Sequence, residues 1–171
     1  GMKVAFGIQL GDIVFDNLSL YEKQPKIFSR VGFPFYLLPG NHDENYDAKS
    51  DQFATETYNS YFGPSYYSFD YGQVHFVMLD NVDYLQRDEN GHVHYQGLIG
   101  EKQLQWIKND LQFVAPEKLI VINMHIPLYY GDGKNPGLNV VDREKLFEIL
   151  KGREHLLVLA GHMHIVDPVS Y

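Results

Sequence analysis

Four short apolar runs in a chain of 171 residues each finish in a side chain able to bind a metal, and no other feature constrains the fold as much. They are residues 4–10 before Gly11-Asp12, residues 33–38 before Pro39-Gly40-Asn41-His42-Asp43, residues 119–124 before His125, and residues 156–160 before Gly161-His162-Met163-His164. An apolar run of this length reads as a strand buried on both faces. Ligands of α/β sheets bind where the strands end, so four strands finishing in Asp, Asn or His can gather those groups at one rim. Two histidines separated by one residue line the same face of an extended segment, so His162 and His164 can serve one site. Gly161 predicts a turn where the strand ends in front of them. Each motif alone has an ordinary explanation: a loop His-x-His pair, a turn or helix-capping Asp12, a turn histidine at His125. As a set they predict one shared centre.

Helical patterns alternate with these strands. Residues 18–29 suit a helix, with Asp16 or Asn17 as its cap, and residues 51–61 suit another. Residues 66–70 and 74–80 read as a hairpin through Tyr71-Gly72-Gln73, with His75 a structural histidine inside it. Leu104, Ile107 and Leu111 mark an amphipathic helix over 101–113, ended by Ala115-Pro116. Asp142 is the predicted N-cap of a helix over 142–151 that stops at Gly152. Residues 81–100, polar and carrying His92 and His94, read as an excursion outside the core. The glycine-rich stretch 131–137 reads as a mobile loop able to contact substrate. Alternating strands and helices predict an α/β domain over 1–171, with a mostly parallel sheet and helices on both faces.

Composition narrows the chemistry. A net charge of −8 without a Lys/Arg cluster disfavours nucleic acid, whereas a small phosphorylated substrate fits if bound cations supply the positive charge. With no cysteine, disulfides, thiolate ligands and cysteine nucleophiles are excluded. No apolar run approaches the length of a membrane span and no charged-then-apolar leader is present, which leaves the compartment open. Gly1-Met2 reads as an addition in front of a start methionine.

The ordered series Gly11-Asp12, Gly40-Asn41-His42-Asp43, His125 and Gly161-His162-Met163-His164 resembles the calcineurin-like metallophosphoesterases. Residues 103–128 are also similar to the helix-then-strand block of purple-acid-phosphatase and phosphodiesterase members. The resemblance implies a two-metal hydrolase of phosphate mono- or diesters on a four-layer β-sandwich flanked by helices. It implies that Asp12 bridges two divalent ions, that Asn41, His125 and His162 complete one of them, and that His164 binds the other. It further implies that His42, held by Asp43, stands beside the phosphorus and either donates to the leaving oxygen or stabilises the transition state.

Such a pair of ions acidifies water and clamps the oxygens of an in-line displacement. Nitrogen and oxygen ligands suit Mn, Fe, Zn or Ni. The chain departs from the family where it lacks an opening Asp-x-His motif and the strands that usually follow Gly-His-x-His, so a sheet truncated at both ends is expected. The first metal then keeps Asp12 and His164, two ligands where catalytic sites use three or more, and one ion is expected to be better populated. Exposed sheet edges imply a homodimer or covering parts of a parent protein. A catalytically impaired binding or scaffold module is the alternative to an enzyme.

Overall fold

The computed structural model of the protein describes residues 3–168. In chain order its strands are β1 (Gly7–Leu10), β2 (Phe35–Leu38), β3 (Tyr67–Tyr71), β4 (Val74–Met78), β5 (Val82–Arg87), β6 (Val93–Gly97), β7 (Leu119–Met124) and β8 (Leu156–Ala160). The α-helices are α1 (Gln24–Ser29), α2 (Asp51–Ala54), α3 (Glu56–Phe62), α4 (Gly100–Asp110) and α5 (Arg143–Leu150). Strands β1 and β2 pair in parallel, a second sheet runs β3-β4-β7-β8, and β5 pairs with β6 as an antiparallel hairpin.

Two sheets face each other where one was expected from the alternation alone. The layer between them is aromatic: Tyr36 of β2 stacks on Phe69 of β3 at 3.7 Å, and Phe6 meets Phe69 and Phe76 edge-on at 5.7 and 5.4 Å. Such ring pairs add about 0.5–1.5 kcal/mol each beyond the area they bury. Strand alternation sends the next residues the other way. Leu37 packs outward with Tyr21, Tyr58 and Phe62, while Val77, Ile120, Ile122 and Met124 pack against Leu104 and Ile107 of α4 and Leu146 and Leu150 of α5. The result is helix, sheet, sheet, helix, the sandwich that the resemblance implied.

Three local expectations change. The segment 81–100 is peripheral only in its middle: Asn81, Val82, Tyr84 and Ile99 are buried, with Tyr84 bonded to Asp51 and Tyr46, Asn81 to Ile126, and Gly97 bridged to Val140. Asp142 stands at the N-cap position of α5, but its side chain makes no bond to that helix. Its carboxylate instead accepts the backbone N–H groups of Ile99 and Gly100 at 3.0 and 2.9 Å, tying the starts of α4 and α5 together. Strand β8 is not buried on both faces; as an edge strand it leaves Leu156, Leu157 and Leu159 36–46% exposed. Among the described residues no helix is long and apolar enough to cross a membrane.

Candidate metal centre and its supports

The ends of β1, β2, β7 and β8 meet. His125 Nε2 lies 3.0 Å from Asn41 Oδ1, 3.4 Å from Asp12 Oδ1 and 3.1 Å from His162 Nδ1. The far side of each ring fixes its proton. His125 Nδ1–H donates to the Leu10 carbonyl at 2.7 Å, and His162 Nε2–H donates to the Gly137 carbonyl at 3.0 Å. The nitrogens that face each other therefore carry lone pairs, next to a carboxylate and an amide oxygen that also accept. Four acceptors turned on one point repel unless a cation sits among them.

Burial, the largest effect, holds both imidazoles neutral. It lowers His125 to about 4 against the opposing pull of Asp12, and it lowers His162 as well. A metal shell with bonds of about 2.1 Å has ligand–ligand edges of about 3.0 Å if octahedral and 3.4 Å if tetrahedral. The observed separations match those edges, so the donor set fits a divalent ion. Among the described residues no group of three or more His, Asp or Glu side chains is by itself arranged to hold a metal ion, and the Asn41 amide stands beside His125 as a further oxygen.

His164 lines the same cleft of about 410 Å³ with Asp12, His125 and His162. The turn that brings both histidines round is not made by Gly161. His162 and His164 themselves take left-handed backbone, with φ of 64° and 53°. Gly161 is needed for closeness: a Cβ there would lie 2.6 Å from the Leu10 carbonyl oxygen, where β8 ends against β1.

Asn41–Asp43 form a single 3-10 turn after Gly40. Contrary to expectation, Asp43 does not hold the His42 ring. It is fully buried and accepts backbone N–H groups from Ile13, Val14 and Gly40 and the Tyr21 hydroxyl, pinning the loop after β1 to this turn. Burial raises its pKa against the pull of those donors. Consecutive residues of such a turn point in different directions, which is why sequence neighbours do not pair here. His42 Nδ1 instead meets Asp16 Oδ1 at 2.7 Å, and Phe15 stacks on the ring at 4.0 Å. Asp12 Oδ1 also accepts the His42 backbone N–H at 3.2 Å.

Further supports were not singled out in the sequence. Asn81, fully buried, accepts the His125 and Ile126 N–H groups at 3.0 and 3.1 Å and donates to the Ile126 carbonyl at 2.7 Å. It follows an apolar strand as the other polar groups do, the one signal that could have marked it. The glycine-rich loop is held rather than free: Asn139 donates to the Asn135 carbonyl at 2.9 Å, and Gly137 receives His162. On the other side of the 3-10 turn, Glu44 is 2% exposed with both carboxylate oxygens lacking a partner, as does Asp80 Oδ1. Burial first, then Asp80, Asp51, Asp43 and Asp83, push Glu44 well above the carboxylate range; burial and Asp51 push Asp80 up to about 7.

The model of the calcineurin-like phosphoesterase family matches residues 3–166. This chain belongs to that family. It is similar to purple acid phosphatase 23 of Arabidopsis thaliana, 32% identical over 148 residues covering 80% of this chain and 30% of the relative. It is also similar to a probable cyclic nucleotide phosphodiesterase of Rhodococcus erythropolis, 28% identical over 93 residues covering 54% and 31%. A dimetal phosphatase of Danio rerio shares the fold, with a TM-score of 0.67 at 19% identity over 94% of this chain and 67% of the other. The chain spans about a third of the length of the first two relatives. Membership in the phosphoesterase family implies divalent metal ions, though not which metals.

Proposed function

We propose that this calcineurin-like domain hydrolyses phosphate mono- or diesters with the help of divalent metal. The observation that carries the reading is the pair of histidine lone pairs turned on Asp12 and Asn41 with no proton between them. Asp12, Asn41, His125 and His162 hold one ion, and Asp12 with His164 offers a second, weaker position. The all nitrogen-and-oxygen set suits Mn, Fe, Zn or Ni. A bound divalent ion supplies acidified water and positive charge for the phosphoryl oxygens.

The protein's own part in the chemistry falls to His42. Its Nδ1–H donates to the Asp16 carboxylate, and in the imidazolium form the second proton, on Nε2, is the one given to the leaving oxygen. Asp43 acts through the backbone it pins, as a positioning residue. The Gly137 and Leu10 carbonyls keep the two ligand tautomers in place. The names of the relatives, a phosphatase and a phosphodiesterase, agree with a phosphoester substrate without choosing between one and two ester bonds.

Turnover of p-nitrophenyl phosphate or its bis-ester with added Mn²⁺ tests the proposal. The expected result is hydrolysis that falls about 10²-fold or more in His42→Ala, and activity no higher than that variant's sinks it. The two-ligand position at Asp12 and His164 favours a second reading, a phosphoester-binding module without turnover. Both readings expect about one tightly held metal per chain, and two tight equivalents by mass spectrometry overturn that stoichiometry. The open edge of β8 also suits pairing with a second copy or a further segment, and a monomer by light scattering counts against the homodimer.

A further inference from the structure

Phe15 stands out by its position rather than by its exposure alone. Its ring is 73% exposed, it belongs to neither apolar cluster, and it lies against the imidazole assigned to the proton transfer. A lone exposed apolar side chain is unremarkable when it is free to move. This one is fixed. The residues around it are bolted to the histidine turn at four backbone points: Ile13 and Val14 N–H to Asp43, Asp16 N–H to the His42 carbonyl at 3.2 Å, and the His42 N–H to Asp12. The residues bracketing the segment, Asp12 and Asp16, hold left-handed backbone at φ of 54° and 59°. Strain of this kind persists only where the surroundings enforce it. Here it presents one face of an aromatic ring to solvent while the other face rests on His42 at an interplanar angle of 28°.

We propose that Phe15 is a specificity-determining platform on which a planar aromatic substituent of the phosphoester stacks, so that aryl or nucleoside phosphodiesters are preferred over alkyl ones. The inference rests on the hydrolase reading for its kinetic form but not for its binding form. Stacking between an aromatic side chain and a planar group is indifferent to ring identity, because every such ring offers a π-face. The backbone on either side of the ring is anchored and its inner face rests on His42, which lowers the ordering cost left for the substrate to meet. Position matters as much as chemistry. A group stacked on the free face of Phe15 has that ring between it and His42, so the platform holds a substituent one ring's thickness from the imidazole that serves the ester oxygen. With 73% of its surface in water, the ring carries little of the fold, and its replacement leaves the domain intact.

The test compares Phe15→Ala, Phe15→Leu and Phe15→Trp with the parent chain, all loaded with Mn²⁺. Substrates are bis(p-nitrophenyl) phosphate, 3′,5′-cyclic AMP and glycerophosphoethanolamine, representing aryl, nucleoside and alkyl esters. The expected result is a rise of about 5- to 50-fold in KM for the ring-bearing substrates in Phe15→Ala and Phe15→Leu, relative to the alkyl one, with recovery in Phe15→Trp. The aryl and nucleoside arms show whether one or both rings are accepted, and selectivity for either supports the proposal. A fall in kcat shared by all three substrates, with KM ratios unmoved, overturns it and makes Phe15 a brace for His42. Binding of adenosine 5′-monophosphate against glycerol 3-phosphate, followed by calorimetry, runs beside the kinetics. If nothing is hydrolysed, the hydrolase reading fails while this arm still decides. Equal affinities for the two in the parent chain, or a preference unchanged in Phe15→Ala, overturn the platform.

Discussion

The single turn Asn41–Asp43 separates two crowded polar pockets that solve the same electrostatic problem differently. On one side Asp12, Asn41, His125 and His162 turn acceptors on a point, and each histidine is locked by a carbonyl behind it. On the other side Glu44 is buried and Asp80 half-buried, with three carboxylate oxygens unpartnered, and the nearby groups that act on Glu44 are more carboxylates. In the first pocket burial leaves the imidazoles without an extra proton at neutral pH, which suits the divalent ion proposed above. The second can be neutralised by protons, since buried carboxyls keep them at unusually high pH. Adjacent pockets of one turn are thus set up for opposite guests. The difference lies in the residue types: imidazole loses its charge on burial, whereas a carboxylate gains a proton and loses its own.

That contrast can be broken most directly at its first half. Replacing His125 by Ala should take tightly held metal from about one equivalent to nearly none and lower hydrolysis by about 10²-fold or more, as loss of one ligand from a small set requires. A chelator should lower the thermal midpoint of the parent chain and leave that of the variant unmoved, since only a species that binds metal is stabilised by it. Metal analysis and calorimetry check both. A smaller loss is expected for Asn81→Ala, which touches no metal but frees the His125 and Ile126 backbone: about 10- to 100-fold in metal affinity by competition with a chelating dye.

The second half gives the smallest effect, and its sign is definite. A carboxyl whose folded pKa is raised holds its proton more tightly when folded, so stability is greatest at low pH and is lost as pH rises from about 4 through about 7, the Asp80 value. Glu44→Gln and Asp80→Asn should flatten that decline, narrowing the gap in thermal midpoint between pH 5 and pH 8 by about 2–4 °C for each kcal/mol removed. Unchanged pH profiles in both variants would show that the pocket is neutralised by something other than protons.

How much of this was legible beforehand depended on what kind of signal each residue left. Asp12, Asn41, His125 and His162 follow apolar strands, and strand ends converge by the geometry of a sheet, so that they meet was readable from spacing alone. Asp43 was misassigned because sequence adjacency to His42 suggested contact, whereas a 3-10 turn points the two side chains apart. Asp16, the actual partner, sits on left-handed backbone, which Asp adopts more readily than most non-glycine residues but which no pattern in the sequence marks at this position. Asn81 lay hidden at the start of a polar segment whose burial comes only from tertiary packing of the β5–β6 hairpin. The two-sheet arrangement came from the family resemblance; alternation of elements by itself pointed to one sheet, because the period of a strand does not say which neighbour it pairs with.

Four of the five non-glycine residues with left-handed backbone among those described are Asp12, Asp16, His162 and His164. Each conformation costs about 1–2 kcal/mol, so the domain gives up rigidity reserves where its chemistry is assembled. Anyone engineering a hardier version would find these positions the most tempting to relax with glycine or asparagine, and each such gain in ruggedness would dismantle a ligand, or the anchor of the histidine that serves the leaving group. Durability has to be sought at a distance, in the aromatic seam between the sheets or along the bare flank of β8.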